Sequence, residues 1–183
     1  LDLDINEVYE AYQTIPSIKA KDDFLMSVTG DINRPGFTTQ TQEGRRELYK
    51  AAFIYYIICE GTFFFSGFAM LLSLSKKIPG IAEQIQYTLR DESLHIEFGT
   101  KVLNTLCKQY PDIWSPLFEE QLTGIMQRAV ELEIQYAYDV LPRGILGLNA
   151  EMFVDYMQFI ANRRMENLGM EFRYPKDKNP FPW

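Results

Sequence analysis

The sequence predicts an all-α protein built as a helical bundle, on three observations. Apolar residues recur at helical spacing almost throughout, and no alternating, strand-like run competes anywhere. Proline and glycine fall where helices of ordinary length would stop, at Pro79-Gly80, Tyr110-Pro111 and Pro142 to Gly147. Ala51 to Leu74 is a run of 24 residues with one charge, and a helix without a polar face must be enclosed on every side.

Taken in order, Asp4 is placed to cap a helix from Ile5 to about Thr14, and Pro16 opens a second segment running to about Val28. Gly30 to Gln40, with two glycines, a proline and an Asn, is a loop. A long helix should run from about Gln42 to Lys76, followed by one from about Gly80 to Gln109. Ser115 caps the next, with Pro116 at its first position and Glu119 near the capping-box position, and it should reach about Val140. After a turn over Pro142 to Gly147, Asn149 caps a last helix ending near Gly169. Residues 1–173 are therefore expected to form the bundle, and residues 174–183, with three prolines, an irregular tail packed down by Phe181 and Trp183.

Composition narrows the function classes. Net charge is −7 and basic residues form no run beyond pairs such as Arg45-Arg46 and Arg163-Arg164, so nucleic acid is a poor candidate partner. Cys59 and Cys107 sit inside apolar helical patterns, which argues against a disulfide framework and for a reducing, cytoplasmic setting. The Ala51–Leu74 run is long enough to span a bilayer. Glu60 near its middle would be expensive in lipid, and no second span exists, so a buried bundle helix is the expectation.

The only histidine, His95, lies three residues after Glu92 in Arg90-Asp91-Glu92-Ser93-Leu94-His95. On a helix both side chains leave one face about one turn apart. Glu-x-x-His is the unit used by carboxylate-bridged di-metal bundles, together with a lone Glu from another helix. By itself the motif is weak, and His95 could be an ordinary core or surface histidine. Glu60 strengthens it, because an unpaired buried carboxylate must be compensated by a metal or a proton. The short connection makes the two helices antiparallel neighbours. Counted from the Lys76–Pro79 turn, Glu60 lies about 17 residues back and Glu92 about 14 forward, which puts them within roughly 5 Å in height.

Two carboxylates and an imidazole suit iron or manganese better than copper or a structural zinc. Three ligands do not complete a dinuclear site, and nothing else in the chain repeats the pattern. Phe64 and Phe68 follow Glu60 at i+4 and i+8. They are either plain core or an apolar wall that keeps water and reductants from a reactive cofactor. Gly61 and Gly67 allow close helix approach or a local π-bulge.

At these residues the chain resembles the radical-generating small (β) subunit of class I ribonucleotide reductase, a ferritin-like bundle of the di-metal carboxylate superfamily. The resemblance rests on Cys59-Glu60-Gly61-Thr62-Phe63-Phe64-Phe65-Ser66-Gly67-Phe68-Ala69, on Arg90-Asp91-Glu92-Ser93-Leu94-His95, on Ala11 to Lys19 and on Asn179-Pro180-Phe181. It implies that Glu60, Glu92 and His95 bind one metal of a pair, with Glu92 bridging to the other. Asp91 would hydrogen-bond a histidine ligand of that other metal and stand on the radical-transfer path. The plain alternative for Asp91 is a solvated charge or a salt bridge with Arg90.

Several further expectations follow from the resemblance. The complete protein would hold two metal ions, Fe/Fe or Mn/Fe, form a homodimer and work with the large (α) catalytic subunit that reduces ribonucleotides. The chain, which begins at Leu1, is expected to be the carboxyl-terminal half, with the remaining ligands and the radical residue upstream. Alone it should be inactive and bind at most one metal. The alternatives are a related ligand-binding di-metal oxidase and a non-catalytic half-bundle.

Overall fold

The computed structural model describes residues 4–30, 32–145, 148–176 and 178–181. Helix α1 spans Ile5–Thr14, with Asp4 Oδ1 accepting from the Asn6 amide at 2.8 Å. Helix α2 spans Pro16–Val28 and starts, as expected, on its proline. Helix α3, Gln42–Phe53, is capped by Thr41, whose hydroxyl accepts from the Gly44 amide at 3.1 Å. It runs without a break through a π-wound segment, Ile54–Phe63, into α4, Phe64–Ser73. The composite helix stops a little before Lys76 because the chain tightens: Leu74 and Ser75 donate to the carbonyls of Leu71 and Leu72, three residues back.

Helix α5, Pro79–Gln109, returns antiparallel along the composite helix and ends on a single 3₁₀ turn, Pro111–Ile113. Helix α6, Pro116–Val140, begins at Ser115, whose hydroxyl accepts from the Phe118 amide at 3.2 Å. The capping box is not completed: Glu119 instead accepts from the Trp114 indole at 3.2 Å. Helix α7, Ala150–Asn167, is capped by Asn149 and closed by Gly169 at φ +73°. There the Met170 amide reaches the Met165 carbonyl at 3.1 Å, a wrap that needs a left-handed residue. Leu146 and Gly147 of the expected turn lie outside the described residues.

The core is layered around the composite helix. Tyr49, Phe53, Ile57 and Ile58 pack with Leu122, Met126 and Val130 of α6, and with Phe153, Met157 and Ile160 of α7. Each fully buried side chain of this size contributes about 1.5–3 kcal/mol. Among the described residues there is no strand, only an isolated bridge between Ile145 and Leu148. Gln42–Ser73 is apolar and long enough to cross a membrane, yet 56% of its most apolar window is buried inside the fold. It is a core helix. Cover is incomplete on one side, where Tyr55 and Phe64 of the composite helix and Leu94 and Phe98 of α5 stay exposed.

A buried ion pair joins α2 to α6. Lys21 Nζ lies 2.9 Å from Glu133 Oε1 and 4.0 Å above the Tyr136 ring, while the Glu133 side chain is wholly shielded from solvent. The tail is tied to α7 by Asn162, whose amide donates to the Tyr174 and Lys176 carbonyls and accepts from the Tyr174 amide. Phe181 is buried against Tyr156, with ring centroids 5.1 Å apart. Trp183 lies outside the described residues.

Candidate metal centre

The winding of the composite helix decides where Glu60 points. Over Ile54–Phe63 the bonds reach back five residues; the Phe64 amide, for example, donates to the Cys59 carbonyl. Thr62 reinforces that register, its buried hydroxyl donating to the Ile57 carbonyl at 2.8 Å. Gly61 permits it, because a Cβ there would sit 2.9 Å from the Tyr56 carbonyl oxygen. Gly67, the other glycine expected to allow close approach, has open space around it. The residue that does so is Gly99 on α5. A side chain there would collide with the Tyr56 ring, 2.2 Å from Cγ. Gly99 lies one turn beyond His95, so this tight contact falls beside the motif.

The three expected ligands come together. One ligand atom from each of Glu60, Glu92 and His95 lies within 4.8 Å of the others. His95 Nδ1 is 3.3 Å from Glu92 Oε2 and 4.0 Å from Glu60 Oε2. The carboxylates are shielded, at 8% and 13% side-chain exposure, while His95 is 57% exposed and opens the cluster to the uncovered side. Glu60 Oε2 is buried without a hydrogen-bond partner. An orphaned buried carboxylate oxygen carries a large desolvation cost, and a hard or borderline divalent cation held by these donors would remove it. The residues therefore fit one metal ion with an incomplete ligand set.

The surroundings are mixed. Phe68 is buried against Phe65, but Phe64 is half exposed, so the pair closes no wall without further cover. Asp91 is exposed, and Arg90 lies over the Tyr87 ring at 5.8 Å and makes no ion pair with it. Two neighbours were missed by the sequence reading. Tyr55 lies beside Glu60, whose carboxylate pushes the phenol's pKa up. Its signal was an i,i+5 spacing, off-face in an α-helix and on-face in a widened turn. Arg164, 103 residues away, donates from Nε to the Gly61 carbonyl at 2.9 Å, and no local pattern could have shown it.

Burial pushes the Cys59 thiol up to about 11, and the charge of Glu60 acts the same way. A thiol held protonated is a poor nucleophile. Iodoacetamide at pH 8 is expected to leave Cys59 unmodified in the folded chain and to modify it in urea, read by peptide mass spectrometry. Rapid labelling of native Cys59 would show that the segment opens.

The family model for "Ribonucleotide reductase, small chain" matches residues 2–180. The chain belongs to that family. A ribonucleoside-diphosphate reductase subunit beta of Chlamydia pneumoniae is 48% identical over 185 aligned residues, covering 100% of this chain and 53% of that protein. Subunit M2 of Danio rerio is 30% identical, over 95% of this chain and 40% of its own length. Among solved structures, a putative class I ribonucleotide reductase from Bacillus halodurans superposes with a TM-score of 0.83 at 27% identity, covering 97% of this chain and 62% of that one. The R2 subunit from Clostridium botulinum gives 0.83 at 25% identity, with coverages of 96% and 54%. The chain spans about half the length of the curated relatives it matches. Ribonucleotide reductase small chains are di-metal proteins, and this one carries a carboxylate–histidine cluster; its fold is that of the ferritin-like small chains.

Proposed function

We propose that the chain is the part of a ribonucleoside-diphosphate reductase small subunit that supplies Glu60, Glu92 and His95 to one metal of a dinuclear centre. The observation that carries this is the orphaned, buried Glu60 Oε2 of the composite helix, close to Glu92 and His95 of α5. Family membership gives the rest of the frame. The other ligands, an Asp and a second Glu-x-x-His, would come from an upstream half. Bound there, an Fe/Fe or Mn/Fe pair supplies the one-electron oxidation that leaves a radical on the protein for use by the large subunit.

What this chain's own residues do follows from their placement. Glu60, Glu92 and His95 would together hold one metal ion, and Glu92 would also reach the second. Phe64 and Phe68, once covered, exclude water. Residues 1–173 form the bundle portion and residues 174–183 the tail that runs on from it. The assembled protein works in the cytoplasm as a homodimer beside the large (α) subunit, which binds the ribonucleotide.

The test joins the chain to the upstream half from its source reading frame, loads iron or iron plus manganese in air, and adds the large subunit. Conversion of a ribonucleoside diphosphate to its deoxy form is expected. Full metal content without turnover would overturn the reading. In the same assay Asp91→Asn should keep its metal complement while turnover falls by about a hundredfold, the range seen when outer partners of a metal ligand are lost. Wild-type turnover in that variant would leave Asp91 a solvated charge.

A further inference from the structure

Arg164 is an expensive residue to place where it lies. It is only 8% exposed, on α7, and burial pushes its guanidinium down to about 10. No carboxylate pairs with it among the described residues, so no ion pair offsets its desolvation. Its one hydrogen bond among the described residues runs from Nε to the Gly61 carbonyl at 2.9 Å, and its guanidinium carbon sits 4.6 Å from the centre of the Phe65 ring. The first contact falls on the widened stretch of the composite helix, one residue after Glu60; the second falls just past it, at the start of α4.

The bond is made to main chain. It therefore senses where the backbone runs, whatever side chains the segment carries. Gly61 is pinned from two directions: a Cβ would meet the Tyr56 carbonyl at 2.9 Å and Arg164 Nε at 3.1 Å. A π-wound turn is a strained local choice, kept only where the surroundings over-determine it. Thr62 supplies one constraint from within the helix. Arg164 supplies one from outside, at the Gly61–Thr62 peptide unit, the second beyond the Glu60 Cα.

We infer that Arg164 is a positioning residue for the metal site: by holding the Gly61 carbonyl it fixes the wide turn that aims Glu60 at Glu92 and His95. The inference rests on the metal-site reading above. It assigns to α7, which contributes no ligand, a part in metal affinity.

The experiment uses the chain as it is, with Mn(II) as the probe and two readouts. Arg164→Met keeps the aliphatic bulk and removes the donor; Arg164→Lys keeps a cationic donor of similar reach. Gly61→Ala perturbs the same contact from the opposite side, and stands in should Arg164→Met fail to fold. Amide hydrogen exchange over peptides covering residues 54–66 reads the turn itself, whether or not metal binds. Mn(II) titration, followed by the electron spin resonance of the free ion, reads the site.

In Arg164→Met and Gly61→Ala, exchange in the 54–66 peptides is expected to rise at least about tenfold while peptides of α6 stay protected. Mn(II) affinity is expected to fall about 10- to 100-fold, as on loss of an outer partner. Arg164→Lys should return both most of the way. Unchanged exchange in both variants overturns the inference, as does faster exchange with wild-type Mn(II) affinity, which would make Arg164 merely a packing residue. A different result sinks the metal-site reading instead: wild-type chain binding Mn(II) no better than Glu92→Ala, with the exchange readout still deciding whether Arg164 holds the turn.

Discussion

Glu92→Ala and His95→Ala, each introduced into the protein assembled with its upstream half, are expected to abolish stoichiometric metal binding. The three donor atoms lie within 4.8 Å of one another, and no other carboxylate or histidine among the described residues joins their cluster to replace a lost one. Removing a direct ligand should cost more than the roughly 10- to 100-fold that outer partners cost. Glu60 would remain buried with its Oε2 still orphaned, so the variants should gain nothing in stability to offset the loss. The chain alone should take up at most one ion and release it on dialysis. Elemental analysis decides: full iron or manganese occupancy in either variant would remove these residues from the site.

Lys21→Met is expected to cost about 3–5 kcal/mol of folding stability, because it leaves Glu133 as an uncompensated charge at a wholly shielded position. Replacing the pair together, Lys21→Met with Glu133→Leu, should recover most of that loss, since apolar residues of similar volume often serve as well as a buried ion pair. Burial pushes the Glu133 carboxyl's pKa up, and Lys21 opposes the push. A carboxyl whose folded-state pKa lies above its unfolded one contributes most below the unfolded value, and that contribution fades as pH rises through the folded value. With Lys21 gone the folded value climbs further, so the variant's deficit should be larger at pH 7.5 than at pH 5. Urea denaturation at the two pH values measures it. A loss below about 1 kcal/mol at both would mean the pair is hydrated and behaves like a surface bridge.

Local chemistry made much of the fold legible. Asp4, Ser115 and Asn149 cap as their sequence positions suggest, and Pro16, Pro79 and Pro116 each open a helix. The pairing of Glu60 with Glu92 and His95 was also legible, because a short turn between two long helices converts residue counts into heights. What escaped was set by partners far along the chain. Lys21 finds Glu133 across 112 residues and Arg164 finds Gly61 across 103, and periodicity holds no trace of either. Gly67 drew notice and is open, whereas Gly99 received none and is where α5 presses on the composite helix, a Cβ there falling 2.2 Å from Tyr56 Cγ. A glycine's letter says only that a side chain is missing; which neighbour occupies the space is tertiary information. Glu119 shows the same limit: it lies one residue past the capping-box position, which Phe118 holds, and its carboxylate accepts from the Trp114 indole.

The widened stretch at Ile54–Phe63 also changes how the chain's longest helix should be drawn. A helical wheel assumes one angular step for every residue, about 100° in an α-helix. Bonds that reach back five residues take a smaller step, so α3 and α4 belong to two wheels turned out of phase with each other. Phe53 and Phe65 can therefore both face inward although a single wheel would place them far apart. Glu60 sits in the phase joint itself. An insertion or deletion of one residue anywhere between 54 and 63 would re-time every side chain on one side of that joint against the other, and the carboxylate would be the first to lose its aim.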